Sequence, residues 1–311
     1  MKSDLLLVSP IHRASQAQLE ADYVVHRLWE AANRDDLLAQ VAPRTEVLVT
    51  TGGAGASREL MQWLPQLRLI ACFGVGVDAI DLAAARERGI AVTNTPDVLT
   101  DDVADLAIGL LLATMRGIVS GDRYVRAGRW LHGAMGVQSK VSGKALGIVG
   151  MGRIGQAIAA RAAAFGMPIA WTGPRNKNLP WRYEPDLIAL ARGVDVLIAA
   201  CPGGAATRGL ISRAVLQALG PGGVFVNIAR GSVVDEAALV DLLTTGKLGG
   251  AGLDVFSEEP NVPRALFALD NVVLQPHQAS ATRETRTAMG RLVIDNVAAF
   301  FAGRPLITPV P

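Results

Sequence analysis

The 311-residue chain has almost no excess charge: 30 Lys and Arg stand against 28 Asp and Glu, a formal net charge of +2. It carries no basic run and no basic patch interleaved with aromatics, which argues against a nucleic-acid partner or an acidic membrane surface. Nor does any apolar stretch reach the roughly 18 residues that suggest a transmembrane helix. The opening, Met1 to Pro10, is too short and too acidic for a signal peptide and reads as a first strand, so a cytoplasmic location with no membrane partner is expected. Only two cysteines are present, Cys72 and Cys201, at the ends of apolar runs far apart in sequence. Buried, reduced thiols suit a cytoplasm. The four histidines form no cluster with metal-ligand spacing, and no metal is expected.

What the chain does have is a repeated alternation of apolar strands and helical stretches, the pattern of an α/β protein with parallel sheets. Strands are expected at Leu5–Val8, Tyr23–Leu28, Glu46–Thr50, Leu67–Phe73 and Ile90–Thr93. Two glycine-rich loops, Thr51–Ala56 and Gly74–Gly76, leave the ends of two of these strands, on the rim where open parallel sheets bind ligands. Thr100-Asp101-Asp102 then opens an apolar helix from Val103 to about Val119, with Thr100 a good N-cap. Being apolar nearly all round, this helix should be buried in a core or an interface. Arg123–Lys140 reads as a polar arm or loop.

From Lys144 a second series begins, with strands at Ala145–Val149, Pro168–Thr172, Val194–Ala200, Gly223–Ile228, Gly249–Val255 and Val272–Leu274, and a long last helix from Thr282 to about Ala302. These six strands make a continuous Rossmann unit. By strand count the last helix returns to the first domain. The expected fold is therefore two doubly wound parallel-sheet domains, with a dinucleotide-binding Rossmann domain, residues 100–282, inserted in a flavodoxin-like substrate domain, residues 1–99 plus 283–311. Two chain crossings would place a cleft between them.

Gly150, Gly152 and Gly155 fit the G-x-G-x-x-G turn between a strand and a helix. The first allows the tight turn, the second lets backbone approach a pyrophosphate, and the third lets the helix pack on the strand. An NAD site carries an acid about 20 residues later to hold the ribose 2′-OH. Here the loop after Thr172 holds no Asp or Glu before Glu184 and carries Arg175 and Lys177 instead. Two cations at that point suit a 2′-phosphate, so the expected cofactor is NADP(H). Cys201, Pro202, Thr207, Ile228 and Ala229, after two further strands, are additional candidate cofactor contacts.

His12, His26 and His132 read as surface or edge residues. His277 follows Pro276 directly after the last apolar strand, where an imidazole facing a cofactor can give or take a proton. Arg230 follows another strand end and can grip a carboxylate with two N–H groups. Glu258 and Glu259 follow a third, and a glutamate bonded to a histidine favours its charged form and fixes its orientation.

With those residues in view, the chain resembles the D-isomer-specific 2-hydroxyacid dehydrogenases. The matching segments are Phe73–Asp78, Asn94-Thr95-Pro96, the Gly150–Gly155 turn, Asn227–Gly231, Gly252–Phe256, Glu258-Glu259-Pro260 and Pro276-His277. Within that family it is most similar to the glyoxylate/hydroxypyruvate and hydroxyphenylpyruvate reductases, which use NADPH. The resemblance implies that Arg230 binds the substrate carboxylate and keto oxygen, His277 is the general acid, and Glu259 pairs with His277. It further implies that the N–H groups of Val75 and Gly76 hold the carboxylate, Asp254 holds the nicotinamide carboxamide, and Arg153 and Ile154 lie at the pyrophosphate. A small 2-oxo acid substrate and a homodimer are expected with it. Other enzymes of the fold, such as aromatic 2-oxo acid reductases or phosphoglycerate dehydrogenase, are the alternatives, as is a dinucleotide-sensing corepressor. One departure is visible: Gln278 follows His277 where these relatives usually carry a small apolar residue.

Overall fold

The computed structural model of the chain describes residues 2–311. The chain divides into two compact units, Met1–Leu99 with Ala281–Pro311, and Thr100–Ser280. The first unit runs β1 (Asp4–Leu7), α1 (Arg13–Asp22), β2 (Val24–Arg27), α2 (Arg34–Val41), β3 (Val47–Thr51), α3 (Arg58–Trp63), β4 (Leu69–Phe73), α4 (Leu82–Glu87) and β5 (Ala91–Thr93). Its five strands are all parallel in the order β2-β1-β3-β4-β5, the flavodoxin-like order. Strands covered by helices on both faces read as unbroken apolar runs. Accordingly Leu5–Leu7, Val47–Val49 and Leu69–Cys72 are all fully buried. β2 is an edge strand, and its His26 is tied to Asp4 of β1 at 2.7 Å.

Helix starts are set by side chains that satisfy the orphan N–H groups. Asn33 accepts from the N–H groups of Asp35 and Asp36, Ser57 from Leu60 and Asp81 from Ala84. α2 and α3 were not expected from the sequence; they are short, and α2 opens on Arg34-Asp35-Asp36 with only Leu38 and Val41 buried.

The second unit runs α5 (Thr100–Met115), α6 (Ile118–Arg126), β6 (Leu146–Val149), α7 (Arg153–Ala163), β7 (Ile169–Thr172), β8 (Arg182–Tyr183), α8 (Leu187–Arg192), β9 (Val196–Ala199), α9 (Arg213–Leu219), β10 (Val224–Asn227), α10 (Glu236–Thr244), β11 (Gly250–Leu253) and β12 (Val272–Leu274). Its sheet has seven parallel strands rather than six, in the order β12-β11-β10-β9-β6-β7-β8. The extra member is the two-residue edge strand β8, paired Ala170 to Arg182 and Trp171 to Tyr183.

The expected single helix to Val119 is two helices. Gly117 adopts a left-handed φ of 58° at the N-cap of α6, and a Cβ there would fall 2.7 Å from Gln138 Oε1. α6 also takes the first residues of the expected arm, and Thr100 is the first helical residue of α5 rather than its cap. α5 packs across β10 and β11 with eight of its residues buried. Gly252 permits this approach, since a Cβ on it would lie 2.9 Å from Leu110 Cβ. No single helix among the described residues is long and apolar enough to cross a membrane.

The last helix, α11 (Arg283–Phe301), belongs to the first unit, capped by Thr282 and packed on α1 and β4. Gly290 lies mid-helix, where Ala would ordinarily be favoured by about 1 kcal/mol. A Cβ there would, however, sit 1.7 Å from Ser15 Oγ and 2.6 Å from Ser15 Cβ on α1. Forcing a methyl into such a contact costs about 1–3 kcal/mol. Gly290→Ala should therefore lower the thermal midpoint; a higher midpoint in a melting curve would show that α1 yields without cost.

Candidate active site

The register of the seven-stranded sheet lines up one row of strand ends. Thr172 pairs with Val149, Val149 with Ala199, Ala199 with Asn227, Asn227 with Leu253 and Leu253 with Leu274. Every loop that follows this row emerges on the same carboxyl rim, where parallel sheets bind their ligands. The glycine turn, the Arg175–Lys177 loop, Cys201, Arg230, Asp254 and His277 all follow it within a few residues.

The glycine turn fits a dinucleotide. Gly150 has φ 98°, and a Cβ there would collide with Cys201 Cα at 2.6 Å; on Gly155 it would lie 2.2 Å from Gly150 O. These two glycines let strand turn, helix and neighbouring loop approach. Gly152 differs: a Cβ there would meet nothing within 4 Å. It caps α7 without a side-chain bond and leaves room at the helix N-terminus, the kind of end whose N–H groups and dipole suit a phosphate. Lys177 reaches back from the loop after β7 to donate to Met151 O at 3.0 Å. Arg175 is exposed two positions earlier. Cys201 is buried, which pushes its thiol pKa up and keeps it inert. Thr207 donates to Pro202 O at 2.7 Å and closes the loop after β9.

Three further strand ends bring the titratable groups together. Buried Asn227 ends β10. Its Oδ1 accepts from Ala229 N–H at 3.0 Å and its Nδ2 donates to Arg230 O at 3.1 Å, which fixes the Ile228–Arg230 turn. The next residue, Gly231, has no room for a side chain, since a Cβ would fall 1.9 Å from the Phe256 carbonyl carbon. That close approach sets the Arg230 turn against the loop leading to Glu259. Glu259 then spends one oxygen on Phe256 N–H at 3.0 Å and the other on His277 Nδ1 at 2.7 Å. With the carboxylate ionised, Nδ1 carries the proton of that bond, and Nε2 is left to exchange protons with a ligand.

His277 itself has a left-handed φ of 54°. Its turn is held by one residue: Asp254 O accepts from His277 N–H at 2.9 Å, and the Asp254 carboxylate accepts from Gln278 N–H at 2.6 Å and Ala279 N–H at 3.0 Å.

This arrangement can aim a hydride donor, an anion grip and a proton donor at one point. The comparisons agree with that chemistry. Residues 108–279 match the D-isomer specific 2-hydroxyacid dehydrogenase, NAD binding domain. The chain is 47% identical over 307 residues, 98% of each protein, to hydroxyphenylpyruvate reductase of Plectranthus scutellarioides. It is 47% identical over the same length and coverage to glyoxylate/hydroxypyruvate reductase A of Arabidopsis thaliana. It superposes with TM-score 0.93 and 43% identity on an NADPH-dependent glyoxylate/hydroxypyruvate reductase of Sinorhizobium meliloti in complex with NADP and malonate, covering 100% of this chain and 97% of that one. The chain belongs to the D-isomer-specific 2-hydroxyacid dehydrogenases.

In this dehydrogenase the two carboxylates around His277 are displaced in opposite directions. Burial pulls both up. At Glu259 the hydrogen bonds from His277 and Phe256, with the charges of His277 and Arg230, outweigh burial and hold the carboxyl below its usual range. At Asp254, which is 1% exposed, burial outweighs the bonds from Gln278 and Ala279 and the carboxyl is raised. The resemblance assigned Asp254 to the nicotinamide carboxamide. Each of its oxygens accepts from one backbone N–H, so the side chain also clamps the His277 turn. Glu258 makes no such bond to His277; its main chain bridges to Asn261.

In the first unit, Val75 and Gly76 follow β4. Thr95 N–H donates to Gly74 O at 2.9 Å, and Asn94 Nδ2 donates to Val75 O at 2.9 Å. Sequence reading quoted Asn94 and Asn227 within motifs but gave neither a task, because side-chain bonds to backbone two or more residues away leave no periodic signal. Of the other histidines, His12 lies beside Ser15, His26 pairs with Asp4, and His132 is exposed.

A carboxyl whose native pKa is lowered contributes stability above its unfolded pKa and loses it as pH falls through the native value. Glu259→Gln should thus be less stable than the parent at neutral pH. The gap should close as pH falls below about 4.3, the ordinary glutamate value. Urea midpoints of both proteins between neutral and acid pH check this; a gap constant with pH would mean that Glu259 contributes through packing alone.

Proposed function

We propose that this protein is an NADPH-dependent reductase of small 2-oxo acids, glyoxylate and hydroxypyruvate, yielding the D-2-hydroxy acid. The observation that carries the reading is the 2.7 Å Glu259–His277 pair, with Arg230 on the adjoining strand end of the same rim. The reduced nicotinamide, when bound, supplies a hydride to the carbonyl carbon. Arg230 binds the carboxylate and stabilises charge developing on the keto oxygen. His277 Nε2–H gives its proton to that oxygen, while Glu259 stays ionised and holds the imidazole through Nδ1. The N–H groups of Val75 and Gly76 are assigned to the substrate carboxylate.

NADPH over NADH is supported by the loop after β7, with Arg175 and Lys177 present and no acid before Glu184. Gly150, Gly152, Arg153, Ile154 and Gly155 would hold the pyrophosphate, and Cys201, Pro202, Thr207, Ile228 and Ala229 would line the rim toward the nicotinamide. Steady-state rates over glyoxylate, hydroxypyruvate and phenylpyruvate, each with NADPH and NADH, test the reading. His277→Ala should lower kcat by about 100-fold or more, and Arg230→Ala should both raise KM and lower kcat. Arg175→Ala with Lys177→Ala should raise KM for NADPH about tenfold or more, with KM for NADH little changed. A His277→Ala protein reducing glyoxylate at the parent rate would end this mechanism.

A homodimer is part of the same proposal. α6 buries only Ser120, while Ile118 and Val125 are each 56% exposed and Leu131 is 88% exposed. Exposed apolar side chains of this kind suit an interface, and a second copy closes it with two-fold symmetry. Light scattering should give twice the chain mass at micromolar concentration, and Ile118→Glu with Val125→Glu should give monomer. A monomeric parent would overturn the assignment.

A further inference from the structure

The loop assigned to the substrate carboxylate is backed by groups that take no part in the chemistry. Val75 N–H and Gly74 C=O are one peptide unit; Gly76 N–H and Val75 C=O are the next. Both carbonyls are engaged from behind, Gly74 O by Thr95 N–H and Val75 O by Asn94 Nδ2, each at 2.9 Å. A peptide whose oxygen accepts a hydrogen bond is polarised, and its own N–H becomes a stronger donor. The two bonds also fix the planes of the two peptides, and so the direction in which their N–H groups point.

Asn94 is in turn fixed from the C-terminal tail. Thr308 Oγ1 donates to Asn94 O at 2.6 Å, and Asn94 N–H donates to Thr308 O at 3.3 Å. The same Thr308 hydroxyl accepts from Asn296 Nδ2 at 2.9 Å. Asn296 is fully buried on α11. Its Nδ2 also donates to Leu292 O at 2.7 Å, and its Oδ1 accepts from Ile307 N–H at 2.9 Å and Thr308 N–H at 3.2 Å. An asparagine amide has two donors and two acceptor positions, so every one is used and the group has a single orientation. Beyond it, Val310 N–H donates to Val92 O at 2.8 Å, so the tail runs along β5.

We propose that Asn94 is a positioning residue for the substrate carboxylate, and that the C-terminal tail sets its effect through Thr308 and Asn296. This rests on the assignment of Val75 and Gly76 N–H to that carboxylate. Asn94→Ala removes the donor on Val75 O. Thr308→Val keeps the branched shape and removes the hydroxyl, whereas Thr308→Ser keeps the hydroxyl. The losses are those of one neutral hydrogen bond, about three- to tenfold in affinity.

The test measures KM for glyoxylate, Ki for oxalate, kcat and Kd for NADPH in the full-length protein. Asn94→Ala and Thr308→Val should each raise KM and Ki together by about three- to tenfold, with kcat and NADPH affinity unchanged. Thr308→Ser should behave as the parent. A merely structural role would lower the melting temperature and the active fraction but leave KM and Ki in place. Parent values of KM and Ki in Asn94→Ala would overturn the proposal. A rise in Asn94→Ala without one in Thr308→Val would overturn the part played by the tail. A parent that reduces no 2-oxo acid would overturn the functional reading itself, and that is seen before any variant is made.

Discussion

The catalytic pair and the cofactor turn depend on one constraint, the common register of the parallel strands in the second unit. Six strands end in one hydrogen-bonded row from Thr172 to Leu274. Parallel pairing makes this row a rim, because every strand points the same way and every following loop leaves on the same side. A one-residue slip in any strand would turn its side chains to the other face and lift its loop out of line. Full burial of Ile148, Leu197, Ile198, Phe225 and Val226 makes such a slip costly. Core packing thus brings together residues as far apart in sequence as Gly150 and His277.

The second requirement is that His277 be oriented as well as placed. Two carboxylates divide that work. Glu259 touches the imidazole and is held ionised by the hydrogen bonds and charges around it. Asp254 is buried, with its carboxyl raised, and accepts from the backbone N–H groups that follow His277. Left-handed φ is uncommon for a residue with a side chain and persists where the surroundings over-determine it. Three hydrogen bonds to Asp254 supply that surplus. Carboxylates displaced in opposite directions mark different tasks, and here one orients the ring while the other fixes the turn that carries it.

Much of this was legible in the sequence, and what was not has physical reasons. Apolar strands buried on both faces announce themselves, so both sheets could be traced, and Gly150, Gly152 and Gly155 between strand and helix marked the cofactor turn. The edge strand Arg182–Tyr183 could not be seen, since it is two residues long and half exposed and lacks an apolar run. The break between α5 and α6 was hidden because helix-forming residues flank it; only the left-handed Gly117 against Gln138 parts them. Composition offered nothing to choose Glu259 over Glu258, because the choice is made by the path of the loop relative to His277. That Asp254 also clamps the His277 turn was not readable, because its partners in that clamp are backbone N–H groups that every residue carries.

The near-neutral composition of the chain now has a structural counterpart. A dinucleotide-binding protein of this family must hold phosphates, and side-chain cations are only part of how it does so. The open N-terminus of α7 beyond Gly152 offers N–H groups and the positive end of a helix dipole to a phosphate. The loop after β7 adds two side-chain cations, Arg175 and Lys177, to these backbone groups. Fixed peptide dipoles bind anions without the flexible stems of lysine and without raising net charge. Their direction must be set by backbone geometry, which is why glycines, buried asparagines and a buried aspartate recur behind these loops, and why a site for anions can sit in a chain whose formal charge is only +2.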